Sequence, residues 1–342
     1  MITIPETDLV VHELCLGSNI FGSNADESQS HAVMDAYFSH GGNFIDTADV
    51  YNQWAEGHVG GESETIIGSW MKARGNRASM VIATKVSMMD RRPGLSAANI
   101  LAACEESLNR LQTDYIDLYY SHTDDATVPM EETLGAYGQL IAEGKVRYIA
   151  ASKFSPERLC LAMTISAENY LPSYCAVQDL YNLVDRTTYE GEMAQTVADL
   201  GISNIPFYGI ARGFLSGKYR PGVTEVDSMR AAGALEYATD KGFAILLYLM
   251  QRVSSRLQES NPRPSLYESD ALPTELRRPV LESIIINILK SKYLECFSTQ
   301  TISHCHGNAV PCSDLRIRES NFTGRHHIEP SKDLAIELIE SQ

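Results

Sequence analysis

The chain has 342 residues, with 28 Lys and Arg against 44 Asp and Glu, 44% hydrophobic residues and 21% charged ones. That balance excludes disorder along the whole length and supplies enough apolar surface for one large domain or two ordinary ones. The net charge of −16 excludes a nucleic-acid or anionic-membrane surface, because both partners need a positive field. Any anionic ligand must therefore meet a local basic pocket.

The first basic residue is Lys72, so neither a basic signal segment nor an Arg-rich transit segment is read at the start. The longest purely apolar run, 243–250, is far shorter than the roughly 20 residues a membrane helix needs. Seven cysteines, at 15, 104, 160, 175, 296, 305 and 312, form no C-x-x-C pair and suit reduced, mostly buried thiols. These features predict a cytoplasmic protein.

In chain order, short β-branched or apolar runs alternate with helical patterns that open on capping residues. Strands are predicted over 43–46, 80–85, 116–120, 146–150, 175–178 and 203–208. Helices follow from Ser63, Ser96, Met130, Ser155 and Gly191, with a further helix over 240–257. The strand starts lie 37, 36, 30, 29 and 28 residues apart, the period of a repeated βα unit with right-handed crossovers and a parallel sheet. No G-x-G-x-x-G turn follows the first predicted strand, which lowers the doubly wound alternative and puts the closed (β/α)8 TIM barrel ahead.

Composition changes near residue 250. Only Gly307 and Gly324 of the 23 glycines lie beyond it, together with 6 of the 13 prolines. The predicted organisation is a barrel over 1–257 and an atypical extension over 258–342. That extension reads as a loop over 258–280, an amphipathic helix over 280–297, a polar and largely disordered stretch over 298–332, and a turn or two in 334–340. No eighth βα unit is recognisable, so the barrel is expected to be incomplete or irregular there. The tail either covers the opening or replaces the original end; replacement is the favoured reading. Cys296, His304, Cys305, His306 and Cys312 are zinc-ligand types, but adjacent His-Cys-His lacks the spacing of a structural site, and no metal is assigned.

Polar residues collect where the predicted strands end: Asp46, Lys85, His122, Ser152, Lys153, Gln178 and Tyr208. In a parallel barrel those ends converge on one mouth. Each residue alone has an ordinary structural reading, as a rim charge, a cap or a satisfied core side chain. Together they suit carbonyl reduction, in which charge grows on oxygen and a proton donor must stand beside it. A phenol, with a pKa of about 10, is too weak unless a neighbouring ammonium favours its ionised form.

With these residues in place, the sequence resembles the aldo-keto reductase family over about 9–250, especially bacterial reductases related to potassium-channel β-subunits. The matched stretches are Leu14-Cys15-Leu16-Gly17, the run from Asn43 through Asp46 to Tyr51, Gly60-Gly61-Glu62-Ser63-Glu64, Ser107-Leu108-Asn109-Arg110-Leu111, Gly144-Lys145-Val146-Arg147 and Ala211-Arg212-Gly213-Phe214. The resemblance implies an NADP(H)-dependent oxidoreductase acting on a small carbonyl substrate. Tyr51 would be the acid, Lys85 its cationic neighbour, Asp46 the holder of Lys85, and His122 the donor to the substrate oxygen.

It also implies cofactor contacts. Ser152 and Gln178 match residues that bond the carboxamide, Lys153 stands where the family usually has Asn, and Tyr208 would stack on the nicotinamide. Gly209, Ile210, Ala211, Arg212 and Gly213, with Lys218, resemble the loop that wraps the pyrophosphate. Phe21, Trp54, Asp124 and Asp125 are expected at the mouth. The competing reading is a non-catalytic or impaired interaction protein of the same ancestry. No nucleic acid or membrane is predicted as a partner, and no oligomeric state is assigned.

Overall fold

The computed structural model describes residues 1–222, 231–259 and 336–337. The sequence opens with segments that the alternating pattern did not predict: a hairpin of β1 (Ile2–Thr3) and β2 (Val10–Val11), then β3 (Leu14–Gly17) and α1 (Glu27–Ser39). Asp26 starts α1 through a reciprocal capping box, with Gln29 N donating to the Asp26 carboxylate at 2.8 Å and Asp26 N donating to Gln29 Oε1 at 3.0 Å. The helix buries only Ser30 and Met34, so it carries little apolar periodicity.

The predicted alternation follows within a residue or two: β4 (Phe44–Asp46), α2 (Glu62–Arg74), β5 (Val81–Val86), α3 (Ala97–Leu111), β6 (Ile116–Ser121), α4 (Met130–Ala142), β7 (Val146–Ser152), α5 (Pro156–Asn169), β8 (Tyr174–Gln178), α6 (Glu192–Asp199) and β9 (Ser203–Asn204). Ser96 and Ser155 cap α3 and α5 by accepting from Asn99 N and Arg158 N. Strand β9 is shorter than the predicted 203–208, because Pro206 has no N–H to give the ladder; one isolated bridge joins Leu180 to Phe207 beyond it.

After β9 come α7 (Ala231–Leu235) and α8 (Asp240–Glu259), which continues two residues past the predicted end. Within 334–340, Ile336–Glu337 forms a strand, β10, rather than a turn, and pairs in parallel with Leu14 and Cys15 on the open edge of β3. The rest of the predicted 258–280 loop, the 280–297 helix, the polar 298–332 stretch and the Cys/His cluster lie outside the described residues. Among the described residues, no helix is long and apolar enough to cross a membrane.

Strands β3 to β9 lie side by side in chain order, all parallel, with β9 and β10 as the edges. The sheet curls. Its inner face is one core cluster holding Cys15, Phe44, Ala83, Leu118, Ala150 and Ala176, plugged from below by Ile4, Leu9 and Val11 of the hairpin region. A larger cluster, with Ile82, Tyr119, Ile149 and Trp70, fills the layer between sheet and helices. The architecture is a (β/α)8-type barrel that is incomplete among the described residues.

A charged layer lies where α2 and α3 meet the sheet. Glu64 is fully buried and accepts from Arg110 Nε at 2.6 Å and Thr84 Oγ1 at 2.5 Å. Asp49 is also fully buried, and neither of its carboxylate oxygens has a hydrogen-bond partner among the described residues. Burial first, and then the Glu64 charge, pushes its pKa up to about 7, against the pull of Arg110 and Arg92. The native state therefore holds the Asp49 proton more tightly than the unfolded chain, whose value lies near 4.

The contribution of Asp49 to native stability should fall as pH rises from about 4 to about 7 and level off above. Asp49→Asn should flatten that slope, gaining on the order of 2 kcal/mol over wild type between pH 5 and 8 in urea unfolding. Helices α2 and α3 touch at Gly68, where a Cβ would overlap the backbone of Arg110 and Leu111. Gly68→Ala should cost about 1–3 kcal/mol in the same assay, because backbone cannot swing aside as a flexible side chain can.

Candidate active site

Side chains alternate across a strand, so residues of one parity share the inner face. Phe44 points inward, and so does Asp46 at the end of β4; Ala83 and Lys85 repeat the relation on β5, and Ala176 and Gln178 on β8. His122 follows Tyr120 in the same way, one residue past β6. The strand ends therefore deliver four polar side chains to one mouth.

Lys85 is fully buried, and its ammonium donates to Asp46 Oδ2, to the Thr47 carbonyl at 2.8 Å and to the Tyr51 phenolic oxygen at 2.9 Å. Three donors meet three acceptors. The other Asp46 oxygen accepts from Gln178 Nε2 at 3.1 Å, so the carboxylate is held on both sides. Tyr51 lies half-buried on the loop after β4, with its oxygen 3.5 Å from Asp46 Oδ2.

That loop is pinned at both ends. Asp49 N donates to the Lys85 carbonyl at 3.2 Å, and Gly61 N to the Tyr51 carbonyl at 3.2 Å. Asn52 adopts a left-handed backbone and is buried, bonding the Phe21 carbonyl and accepting from Ser23 Oγ at 2.7 Å. The Tyr51 ring meets His122 edge-on at 6.0 Å between centroids and Trp54 at 6.2 Å.

His122 is buried, and its Nδ1 has no partner among the described residues. Burial, then Lys85 and Lys153, hold its pKa well below the usual histidine range. It is a neutral imidazole, with one N–H to donate.

The second group of predicted residues is only partly drawn together. Ser152 Oγ donates to the Gln178 carbonyl at 2.8 Å, so Ser152 and Gln178 brace one another and Asp46. Lys153 has a left-handed backbone and an exposed side chain, 3.5 Å from Met88 Sδ and 5.7 Å from the Phe207 ring centroid. Tyr208 is half-buried under the Arg212 guanidinium, 4.9 Å from its ring centroid, and Asn182 Nδ2 holds the Tyr208 carbonyl at 3.1 Å.

In the following loop Gly209, Ile210, Ala211 and Gly213 are buried, while Lys218 is exposed beside the Tyr219 ring. Positive φ at Tyr208, Ala211, Arg212 and Gly213 coils it tightly. Arg212 also pairs with Glu236 at 3.3 Å, a contact that the sequence pattern gave no sign of.

Among the described residues, Arg212 Nε, Ser216 Oγ and Tyr219 Oη are buried without hydrogen-bond partners. Open donors of this kind around one coiled loop fit the phosphates of a dinucleotide. At the strand ends, the open donor is the Lys153 ammonium. The residues present thus fit a nicotinamide dinucleotide.

One mouth expectation needs correction. Phe21 is fully buried in the layer between sheet and helices, not at the mouth, because the Asn52 bond draws its backbone inward. Asp124 and Asp125 lie on the loop that follows β6 and His122, where Asp124 is paired with Arg158 at 2.7 and 2.9 Å and Asp125 accepts from Thr127 and from Leu95 N. Trp54 is 61% exposed beside Tyr51. Of the described cysteines, Cys15, Cys104 and Cys175 are buried, Cys160 is exposed, and none of the four is in a disulfide.

The model of the Aldo/keto reductase family matches residues 13–259. Relatives include the "Uncharacterized oxidoreductase YrpG" of Bacillus subtilis, 36% identical over 221 residues that cover 62% of this chain and 67% of the relative. "Protein tas" of Escherichia coli is 32% identical over 244 residues, 64% of this chain and 70% of the relative. A "Probable voltage-gated potassium channel subunit beta" of Oryza sativa is 32% identical over 225 residues, 64% and 66% of the two chains. A parallel barrel with polar strand ends gathered at one mouth, and a family match over most of the length, lead to one conclusion: the chain belongs to the aldo/keto reductase family, whose members are oxidoreductases that bind nicotinamide cofactors.

Proposed function

We propose that this chain is an NADP(H)-dependent reductase of small aldehydes and ketones, in which Tyr51 delivers the proton. The observation that carries the reading is the saturation of Lys85 by Asp46, Thr47 and Tyr51. Because the Tyr51 oxygen already accepts from the ammonium, its own proton is what it has to give to a substrate oxygen. The chemistry that a bound nicotinamide supplies is a hydride to the carbonyl carbon.

The rest falls to the side chains. His122, neutral and donating one N–H, orients the substrate oxygen and stabilises the charge growing on it. Tyr51 gives up its proton to that oxygen, and the phenolate left behind faces an ammonium at 2.9 Å. Asp46 offsets the burial of Lys85 and fixes its position, and Gln178 fixes Asp46. Water returns a proton to Tyr51 from the mouth.

Ser152, Lys153, Gln178 and Tyr208 are the proposed contacts of the nicotinamide end, and 209–213 with Lys218 those of the phosphates. The preference for the phosphorylated cofactor is carried over from the family resemblance. The proposed setting is the cytoplasm, in keeping with described cysteines that form no disulfide.

NADPH consumption with a panel of simple aldehydes tests the reading. Tyr51→Phe should lower kcat by about 10²- to 10⁴-fold while cofactor binding, followed by fluorescence, is retained. Undiminished turnover in Tyr51→Phe would reject the assigned acid, and wild-type protein that neither binds nor oxidises NADPH would favour the non-catalytic reading.

A further inference from the structure

Two ammonium groups reach this mouth, and they are treated differently. Lys85 is buried and bonded to a carboxylate. Lys153 is exposed and forms no ion pair among the described residues; its neighbours are the Met88 sulfur and the Phe207 ring. Asp179 also acts on it from the wall of a cavity that both line, but is only 8% exposed, whereas the ammonium is open to solvent. Desolvation, then Lys85, lowers the Lys153 pKa, the mark of a cation that is partly stripped of water and not neutralised.

The placement is informative. Strands β6 and β7 are adjacent, with Tyr120 opposite Ala150 and Ser121 opposite Ala151. By that register His122 comes level with Ser152, and Lys153 follows Ser152, so the two residues stand one step apart at the ends of neighbouring strands. A carbonyl oxygen held by His122 leaves the rest of its substrate within reach of Lys153.

The protein as a whole carries −16 and repels anions, which makes a local cation at the mouth selective. Lys153 lines a cavity of about 540 Å³ together with Asp179, Glu190 and Glu192, of which Glu190 is paired with Arg186 at 2.6 Å. One ammonium with acids around it matches a monoanion better than a phosphate dianion.

We propose that Lys153 is a specificity-determining residue that selects carbonyl substrates carrying a carboxylate over their neutral analogues. The proposal rests on the reductase reading, because it takes the carbonyl to be held at Tyr51 and His122.

The test compares 4-formylbenzoate with its methyl ester, a neutral aldehyde of similar shape, in wild type and in Lys153→Arg, Lys153→Gln and Lys153→Glu. Binding is followed by calorimetry, which needs no turnover, and kcat/KM is measured alongside with NADPH. Wild type and Lys153→Arg should prefer the acid by about fivefold or more, Lys153→Gln should lose the preference and Lys153→Glu should invert it. Taking ratios within each variant cancels any loss of cofactor binding or overall activity. A wild-type ratio near one, or a preference for the acid that survives in Lys153→Glu, would overturn the proposal. Failure of turnover with both aldehydes beside an intact binding preference would instead count against the reductase reading alone.

Discussion

A buried ammonium with three hydrogens and three acceptors organises the top of this barrel. Lys85 has no contact with solvent, and an unpaired charge there would be untenable. Asp46 makes the burial tolerable, and Gln178 prevents Asp46 from turning away. Losing either partner of such a pair costs about 3–5 kcal/mol, because the other charge is left uncompensated. Structure and reactivity therefore rest on one arrangement: the ammonium that must be satisfied for the barrel to fold is also the one that holds the Tyr51 oxygen.

The charges around it form a graded series. His122 stays neutral because burial and two neighbouring cations disfavour its protonation. Behind the same loop, Asp49 is held near neutrality by burial and by Glu64, while Glu64 takes the direct pairing with Arg110. Only Lys153 carries its charge outward without a direct partner among these groups. A ligand entering the mouth thus passes an exposed cation, then meets a neutral donor, and finally a phenol backed by a paired ammonium.

Much of this was legible in the sequence because a strand has a fixed period of two. Once 43–46 and 80–85 read as strands, Phe44 with Asp46 and Ala83 with Lys85 had to share a face, and their ends had to meet. What was not legible has physical reasons. The four-residue β3 and the nearly unburied α1 carry no periodic signal, although Leu14-Cys15-Leu16-Gly17 was matched as a motif. The bond from Gln178 to Asp46 spans 132 residues, so the second role of Gln178, as a brace for the carboxylate, needed the closed geometry. The Arg212 pairing with Glu236 and the inward pull of Asn52 on the Phe21 backbone are tertiary contacts of the same kind. Asp49 could have been noticed from the two aspartates in Asp46-Thr47-Ala48-Asp49, but only burial shows that it lacks partners.

The claim on which the account depends is that the Lys85 ammonium favours ionisation of the Tyr51 phenol. The most direct measurement is a pH titration of the Tyr51 ring carbon resonance in protein labelled at tyrosine, with Tyr51→Phe used for assignment, in wild type and in Lys85→Met. The account predicts that the Tyr51 midpoint rises by at least about one unit when the ammonium is removed. An unchanged midpoint in folded Lys85→Met protein would contradict it.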